Sequence, residues 1–230
     1  MKTAAEIKNQ LLQTLAEILD EPLKTVGFTR NKRSLVYNRT INDAEHRITF
    51  VVHSHPKYQP GAEAHIYPAL QIGLPQVCEV ALALVKGDKL LLANAPDIIV
   101  GQPIEFTAPK DKRQQWFATG NEQFGAACES IKAFLFNWVL PFLSEVSTPA
   151  DLVKIYETND ERMMKLQHWH IRIAAAYQVL GQIDKAREVV RRHFGSLGLP
   201  FRAKLIGSSG LTPSRQGCSP CVGVTSRTQA

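Results

Sequence analysis

The sequence lacks the features that mark fibrous, disordered and membrane-spanning chains. Of its 230 residues 44% are hydrophobic and 21% are charged, which is the composition of an ordinary globular protein. The longest strongly apolar run, Ala133 to Leu143, is too short to span a bilayer. Glu6 and Lys8 interrupt any early apolar stretch, so we expect no secretory signal. We therefore expect a cytoplasmic protein without a membrane partner.

Signature motifs of common enzyme classes are also absent. The chain has no phosphate-binding loop, no dinucleotide fingerprint, no His-Glu-x-x-His and no nucleophile elbow. Cysteine is scarce: Cys78 and Cys128 lie in apolar contexts typical of core thiols. Cys218 and Cys221 resemble half of a zinc knuckle, but no further Cys or His lies nearby to complete four ligands. We therefore predict no catalytic residues, no metal and no cofactor.

Positive charge is concentrated at the C-terminal end. Residues 1–160 carry 16 Lys and Arg against 18 Asp and Glu, whereas residues 161–195 carry seven against three and residues 196–230 four against none. A nucleic-acid-binding accessory protein would use such cations as phosphate contacts. No RNA-binding aromatic motif or recognition-helix pattern accompanies them, so this function remains an alternative and nucleic acid is not the expected partner. The basic residues of the predicted C-terminal helices are Arg162, Lys165, Arg172, Lys185, Arg187, Arg191, Arg192 and His193.

The order of patterns predicts an α+β fold: an N-terminal helix, a mainly antiparallel sheet and then several helices. Apolar residues recur at helical steps from about Thr3 to Thr25, with a kink or a new helix near Pro22. From Asn121 onward the pattern is helical again, and Pro141 is expected to close the first of these helices. Asp160 is expected to cap a later one that carries Leu166 inward.

Period-two alternation predicts the strands. Asn42-Asp43 reads as a hairpin turn, and the loop Pro56–Gly61 is expected to be exposed. Between the sheet and the long helices the pattern is weaker, and Val77–Val85 fits a helix or a strand. The predicted strands are Leu35–Ile41, Arg47–His55 and Ala64–Leu74, with Lys89–Ala93 and Ile98–Phe106 as additional short strands.

We divide the chain into three parts. Residues 1–158 are predicted to form the α+β domain, and residues 159–195 a helical hairpin packed on it. Residues 196–230 hold five Gly, three Pro and six Ser without periodicity, which predicts a flexible or irregular tail.

One face of the predicted sheet collects polar and aromatic side chains. If Ile48, Phe50 and Val52 point into the core, the alternate residues of that strand point away from it. Three hypotheses remain for this face: a surface that binds a partner, a metal site built from His53, His55 and His65, or a half-solvated face without a role. The predicted partner-contacting residues are Tyr37, Arg39, His53, His55, His65 and Tyr67, together with the loop Pro56–Gly61.

Two resemblances follow from particular motifs. Ala174–Tyr177 followed by Leu180–Ala186 resembles the turn of a tetratricopeptide repeat, present as a single helix pair. Residues 5–157 as a whole resemble an uncharacterised bacterial domain family of unknown function, some members of which look like immunity proteins of polymorphic-toxin loci. The motifs that carry this second resemblance are Val26-Gly27-Phe28, Leu35–Arg39, Ile48-Thr49-Phe50, Ile72-Gly73-Leu74, Leu140–Leu143 and Ser147–Leu152.

The family resemblance implies a non-catalytic protein-binding module, most concretely an antitoxin that blocks a cognate toxin by occlusion. It implies no catalytic residues. The alternative from another class is a metal-dependent or other hydrolase that uses the histidine-bearing sheet face.

Overall fold

The computed structural model describes residues 2–166 and 168–195. An N-terminal helical segment is followed by a six-stranded antiparallel sheet and further helices, which confirms the α+β class. The predicted tail, with Cys218 and Cys221, lies outside the described residues. The helices are α1 (Ala4–Ile18), α2 (Asp20–Thr25), α3 (Pro75–Leu84), α4 (Gly120–Phe134), α5 (Leu140–Ser144), α6 (Pro149–Glu157), α7 (Trp169–Val179) and α8 (Ile183–Phe194). The strands are β1 (Thr29–Arg30), β2 (Val36–Ile41), β3 (Ala44–Ser54), β4 (Ala64–Gly73), β5 (Val100–Pro103) and β6 (Trp116–Ala118).

The first helical segment begins at a capping box. The Thr3 hydroxyl accepts a hydrogen bond from the Glu6 amide at 3.3 Å, and the Glu6 carboxylate accepts one from the Thr3 amide at 2.7 Å. The apolar face of α1 is fully buried. The helix then breaks at Leu19, and Pro22 lies in the first turn of α2, where an amide has no intrahelical partner in any case. The segment from Thr3 to Thr25 is therefore two helices.

A two-residue turn sets the register of the sheet. Asn42 and Asp43 both have positive φ, 49° and 68°, as tight hairpin turns require. This turn pairs Ile41 with Ala44 and therefore Tyr37 with Ile48. The strand order is β1-β2-β3-β4-β5, and β6 pairs with β4 near the N-terminal end of that strand.

The weakly patterned region between sheet and helices differs from the prediction. Val77–Leu84 is helical, within α3, and Val85 caps the C-terminus of that helix. Lys89–Leu92 is a 3-10 helix, so the strand predicted at Lys89–Ala93 is wrong. The Asp88 side chain accepts from the Leu90 amide and favours this turn over an extended chain. Ile98–Phe106 holds only the four-residue β5, followed by a 3-10 helix at Ile104–Thr107.

Two helix boundaries also differ from expectation. α4 continues through a π-helical turn at Leu135–Val139 into α5, so Pro141 does not end it; such a turn is a known way for a helix to absorb a break in its hydrogen-bond ladder. Asp160 does not cap a long helix, because its carboxylate accepts from the Arg162 amide within a turn. Leu166 is 44% exposed, and α7 begins only at Trp169.

The continuous helical segment Gly120–Ser144 has 25 residues and, by length and composition alone, is apolar enough to cross a membrane. Its apolar stripe lies in the protein core, where Phe124, Cys128, Ile131 and Phe142 are fully buried. A buried core helix passes the same test of length and composition.

The C-terminal helices join the same hydrophobic core. α7 packs against α3, α6 and α8, and Trp169, Ile173 and Ala174 on it are buried. Gly181 has a positive φ of 74° and ends α7, which lets α8 return alongside it.

The two faces of the sheet have different surroundings. On one face α1 contacts β3 and α4 contacts β6, and Ile48, Phe50 and Leu70 are buried there. On the other face Val51 is 37% exposed, and Arg47 and His53 are exposed. We call this second side, made by the odd-numbered residues of β3 and β4, the open face.

Candidate functional site

Five rings gather at one end of the open face around His65. β3 contributes His53, β4 contributes His65 and Tyr67, β6 contributes Phe117, and the loop after β3 contributes Tyr58. The Phe117 ring stacks on the His65 imidazole with centroids 4.5 Å apart, and Tyr58 and Tyr67 each approach it edge-on at 5.7 Å. The His53 centroid lies 6.1 Å away. We call these five residues the aromatic patch.

His65 is fixed at the base of the aromatic patch. The imidazole is 6% exposed, and its Nδ1 lies 2.7 Å from the Tyr58 hydroxyl oxygen. Burial, and then the neighbouring His53, lower the pKa of His65 below its ordinary value of 6.5. The imidazole is therefore neutral near physiological pH, and its Nε2 has no hydrogen-bond partner within the described ranges.

The outer rings of the patch are accessible. Tyr58 is 63% exposed and His53 is also exposed, whereas Phe117 and Tyr67 are half-buried. Tyr and His side chains combine an apolar or planar body with a polar tip, which suits a surface that is wet when free and dry when bound. The arrangement provides rigid apolar area on a strand scaffold, with accessible polar groups at its edge.

Tyr37 was predicted to contact a partner, and this prediction is wrong. The residue is 1% exposed and faces the helices, because the hairpin register places it opposite Ile48. Its hydroxyl donates to the Asp20 carboxylate at 2.6 Å, and the same carboxylate pairs with Arg30 at 2.8 Å. Burial, reinforced by the hydrogen bond to Asp20, raises the pKa of Tyr37. Tyr37 therefore joins α2, β1 and β2 within the core.

The placement of Arg39 on the open face is wrong for the same reason. Arg39 lies opposite His46 on the helix-covered face, and its guanidinium carbon is 4.5 Å from the centroid of the Phe28 ring. Its Nε donates to His46 Nδ1 at 3.0 Å, and its Nη1 donates to the Val26 carbonyl at 3.1 Å. Arg39 thus contacts His46, Val26 and Phe28 on the helix-covered face and does not reach the open face.

His55 also lies apart from the aromatic patch. β3 ends at Ser54, and His55 has a positive φ of 49°, so the strand alternation does not extend to it. Its Nε2 lies 2.7 Å from the carbonyl oxygen of Lys2, whose ammonium pairs with Glu63 at 3.3 Å. Of the six predicted residues, the structure brings together His53, His65 and Tyr67.

Sequence reasoning missed Phe117 and the role of Tyr58. Phe117 lies on the three-residue strand β6, which is too short to show a period, and it faces His65 through pairing between distant parts of the chain. Tyr58 belongs to the loop predicted to be exposed, and it is exposed. It folds back onto the sheet, where its hydroxyl contacts His65 Nδ1. An aromatic residue within that loop was the available signal.

The rim of the patch carries charge of both signs. Burial raises the pKa of the Glu105 carboxyl, against the opposing effects of a hydrogen bond to its own backbone and of Arg113. Burial and then Glu105 raise the pKa of Tyr67. The Arg113 guanidinium carbon lies 4.5 Å from the centroid of the Phe106 ring. The open face therefore presents no single sign of charge around its apolar centre.

The metal-site alternative has little geometric support. Within residues 2–166 and 168–195 no group of three or more His, Cys, Asp and Glu side chains is arranged to hold a metal ion. His53 and His65 are neighbours, but His55 is directed to the carbonyl of Lys2. Apart from His53, the rings around His65 are those of Phe117, Tyr58 and Tyr67, which are poor metal ligands compared with imidazoles, carboxylates and thiolates.

Four of the eight basic C-terminal side chains are paired with acids. Arg162 bonds Asp160 and Glu145, and Lys185 bonds Glu157. Each further pair lies within one helical turn of α8: Arg187 with Asp184 and Arg192 with Glu188. These contacts neutralise much of the local charge, which weakens the case for phosphate binding.

A cavity of about 530 Å³ lies between α6, α7 and α8. His170 and His193 stack there with centroids 3.4 Å apart, and the Tyr156 hydroxyl lies 3.2 Å from His193 Nε2. The Tyr177 hydroxyl donates to Glu157 at 3.0 Å, as does Lys185 at 2.9 Å. These side chains bond one another and hold the α7–α8 hairpin against α6.

Comparison with known proteins finds no family model, no curated protein and no solved structure that matches this chain. The geometry of the described residues therefore carries the functional argument, and the resemblance of residues 5–157 to a bacterial domain family stays a prediction.

Proposed function

We propose that this chain is a non-catalytic protein-binding module that docks a partner protein on its open face. The observation that carries the proposal is the aromatic patch, in which a buried His65 supports the accessible rings of Tyr58 and His53. Protein interfaces concentrate their binding energy in a few aromatic and Arg side chains surrounded by weaker contacts. Val51, which is 37% exposed beside Tyr67 in the strand pairing, extends the apolar centre.

The shape of the site favours a protein over a small substrate at this position. The patch lies on the surface of an extended sheet, and stable protein interfaces bury about 1,600 Å² over such broad surfaces. Strands hold the rings of His53, His65 and Tyr67 in place, which limits the side-chain entropy lost on association. Glu105, whose charge acts on Tyr67, and Arg113, whose charge acts on Glu105, provide polar groups of both signs on the Tyr67 side of the centre.

In its most concrete form the proposal is an immunity protein that neutralises a cognate bacterial toxin. Support for this step comes from the sequence resemblance of residues 5–157. Occlusion of a toxin's active site needs a rigid surface and no catalysis, which agrees with an open face that carries aromatic side chains. The identity of the toxin follows from the neighbouring genes.

The test compares two exposed residues in different places. Tyr58→Ala removes a ring of the patch that is 63% exposed, and Leu90→Ala removes an apolar side chain that is 71% exposed on the 3-10 helix Lys89–Leu92. Each variant is co-expressed with the products of neighbouring open reading frames. Affinity for any partner so found is then measured by calorimetry, and protection of growth is scored in parallel.

We expect Tyr58→Ala to weaken partner binding by about 2 kcal/mol, or roughly thirtyfold, as truncation of an aromatic anchor does. Leu90→Ala should leave the affinity unchanged, and both variants should keep the wild-type melting temperature to within a few degrees. Equal affinity of the wild type and Tyr58→Ala, with Leu90→Ala weakened instead, would place the interface elsewhere.

A further inference from the structure

Arg172, on α7, is a buried cation without a counter-charge. The residue is 3% exposed, and its Nη2 donates to the carbonyl oxygens of Leu92 at 3.3 Å and Ala95 at 2.8 Å. Each of the ion pairs formed by the described residues involves other cations, so no carboxylate lies within 4 Å of this guanidinium. Both hydrogen bonds that this guanidinium donates to the described residues come from Nη2, and neither Nε nor Nη1 is among the fully buried polar atoms that lack a partner.

Such an arrangement is costly in the free protein. Removing a charged group from water is unfavourable unless an opposite charge and hydrogen bonds compensate for it. Burial accordingly lowers the pKa of Arg172 to about 10, and the opposing influence of Cys78 and Asp97 is smaller. Asp97 is an exposed residue that influences Arg172 only through its charge, without an ion pair between the two. Two of the five N–H groups bond carbonyls, and the other three bond none of the residues that the structure describes.

The guanidinium lines a cleft of about 350 Å³ between the β4–β5 end of the sheet, the turn at residues 93–98 and the start of α7. Ala69, Ile98, Pro103 and Leu166 form apolar parts of its wall. The side-chain amide of Gln102 already has hydrogen-bond partners, since it donates to the Arg162 carbonyl and accepts from the Met164 backbone amide. This volume lies within the range of small-ligand sites.

Among the described residues that line the cleft, Arg172 is the one Lys or Arg. His168 lies one helical turn earlier, and burial, followed by the influence of Arg172, lowers the pKa of this imidazole. A single cation balances a single negative charge, whereas a phosphate dianion would leave one charge uncompensated among apolar walls. A planar guanidinium also matches the two oxygens of a carboxylate.

We propose that this cleft binds a small monocarboxylate with an apolar body, whose carboxylate takes the free N–H groups of Arg172. The hydrocarbon or aromatic part of the ligand packs against Ala69, Ile98 and Leu166. This cleft would bind its ligand through a cation, whereas the aromatic patch presents rings. Tyr67 borders both sites. It does not depend on the docking of a protein partner.

The test is a titration of the full chain by calorimetry and by NMR chemical shift. The probes are straight-chain monocarboxylates from acetate to octanoate, and benzoate, each compared with its uncharged amide. We expect saturable binding of at least one carboxylate with an apolar body, about tenfold tighter than its amide. The absence of saturable binding by every carboxylate up to about 10 mM would overturn the proposal, as would equal affinity for acid and amide.

Two kinds of variant locate the binding. Arg172→Met should weaken binding at least about tenfold, but it also removes the bonds to Leu92 and Ala95 and so tests folding as well. Leu166→Asp places a negative charge on an exposed position of the wall, and Leu166→Asn is its uncharged match. We expect Leu166→Asp to weaken binding about fivefold relative to Leu166→Asn. Identical affinities of these two variants would place the ligand elsewhere and refute the assignment.

Discussion

His46 makes the stability of the protein dependent on pH in a way that the structure quantifies. The residue is 2% exposed, and its Nδ1 accepts a hydrogen bond from Arg39 Nε at 3.0 Å. The acceptor role of Nδ1 places the proton of the neutral ring on Nε2, which has no hydrogen-bond partner within residues 2–166 and 168–195. Protonating Nδ1 would break the bond and place a second positive charge beside Arg39. Burial, and then Arg39, lower the pKa of His46 from 6.5 to about 4.

The magnitude follows from linkage. Between pH 6.5 and about pH 4 the unfolded chain carries a proton on this histidine and the folded chain does not, so the free energy of unfolding falls as the pH falls. Each pKa unit is worth about 1.4 kcal/mol, so the lowered pKa corresponds to a loss of about 3 kcal/mol across this range. The contribution of His46 to the free energy of unfolding is constant above pH 6.5, the ordinary pKa, and is fully lost below about pH 4.

Urea unfolding followed by circular dichroism, repeated between about pH 7.5 and pH 4, measures this loss. His46→Asn keeps a side-chain acceptor for Arg39 and removes the titration, so the difference between wild type and variant cancels the other titrating groups. We expect the wild type to lose about 3 kcal/mol more than His46→Asn. His53→Asn, which keeps His46, is the control and should retain the wild-type loss. Parallel curves for the wild type and His46→Asn would refute the reasoning.

Two further variants test local features of the fold at neutral pH. Tyr37→Phe removes the buried hydrogen bond to the Asp20 carboxylate and should lower the free energy of unfolding by about 2 kcal/mol, whereas a change below about 0.5 kcal/mol would mean that the bond contributes little. Thr148→Ala removes the capping box that the Thr148 hydroxyl forms with Asp151 at the start of α6. It should cost about 1 kcal/mol in urea unfolding, while Thr148→Ser keeps the cap and should match the wild type.

The sequence was sufficient for the strands whose alternation is regular. In β3, Ile48 and Phe50 alternate with Thr49 and Val51. An alternation with a period of two residues predicts which side chains face the core. The prediction placed Tyr37 and Arg39 of β2 on the open face, which is wrong. Val36 and Tyr37 are neighbouring residues with large nonpolar groups, so the alternation in β2 does not show which of them faces the core. The turn at Asn42-Asp43 contained the missing information. A two-residue hairpin forces Ile41 opposite Ala44, and counting back places Tyr37 opposite Ile48 on the core face.

The aromatic patch was only partly predictable. His65 and Tyr67 follow from the alternation of β4, but Phe117 reaches them through a three-residue strand about 50 residues away in the chain. Pairing over that distance leaves no local signal in one sequence. The buried charge of Arg172 was hidden for a similar reason. Its spacing from Arg162 and Lys165 is that of a basic helix surface, and Arg172 is buried by the packing of α7 against α3 and against the turn that carries Leu92 and Ala95.

Site-specific photocross-linking in the native host tests the docking of a partner most directly. Val51 lies on the open face beside the aromatic patch and is 37% exposed, so Val51→p-benzoylphenylalanine places the reactive group within the proposed interface. Leu90→p-benzoylphenylalanine is the matched position, since Leu90 is 71% exposed on the 3-10 helix Lys89–Leu92. We predict one discrete cross-linked protein from position 51, absent from position 90 and lost when Tyr58→Ala is added. A cross-linked partner from position 90 and none from position 51 would contradict the proposal that the open face binds a protein.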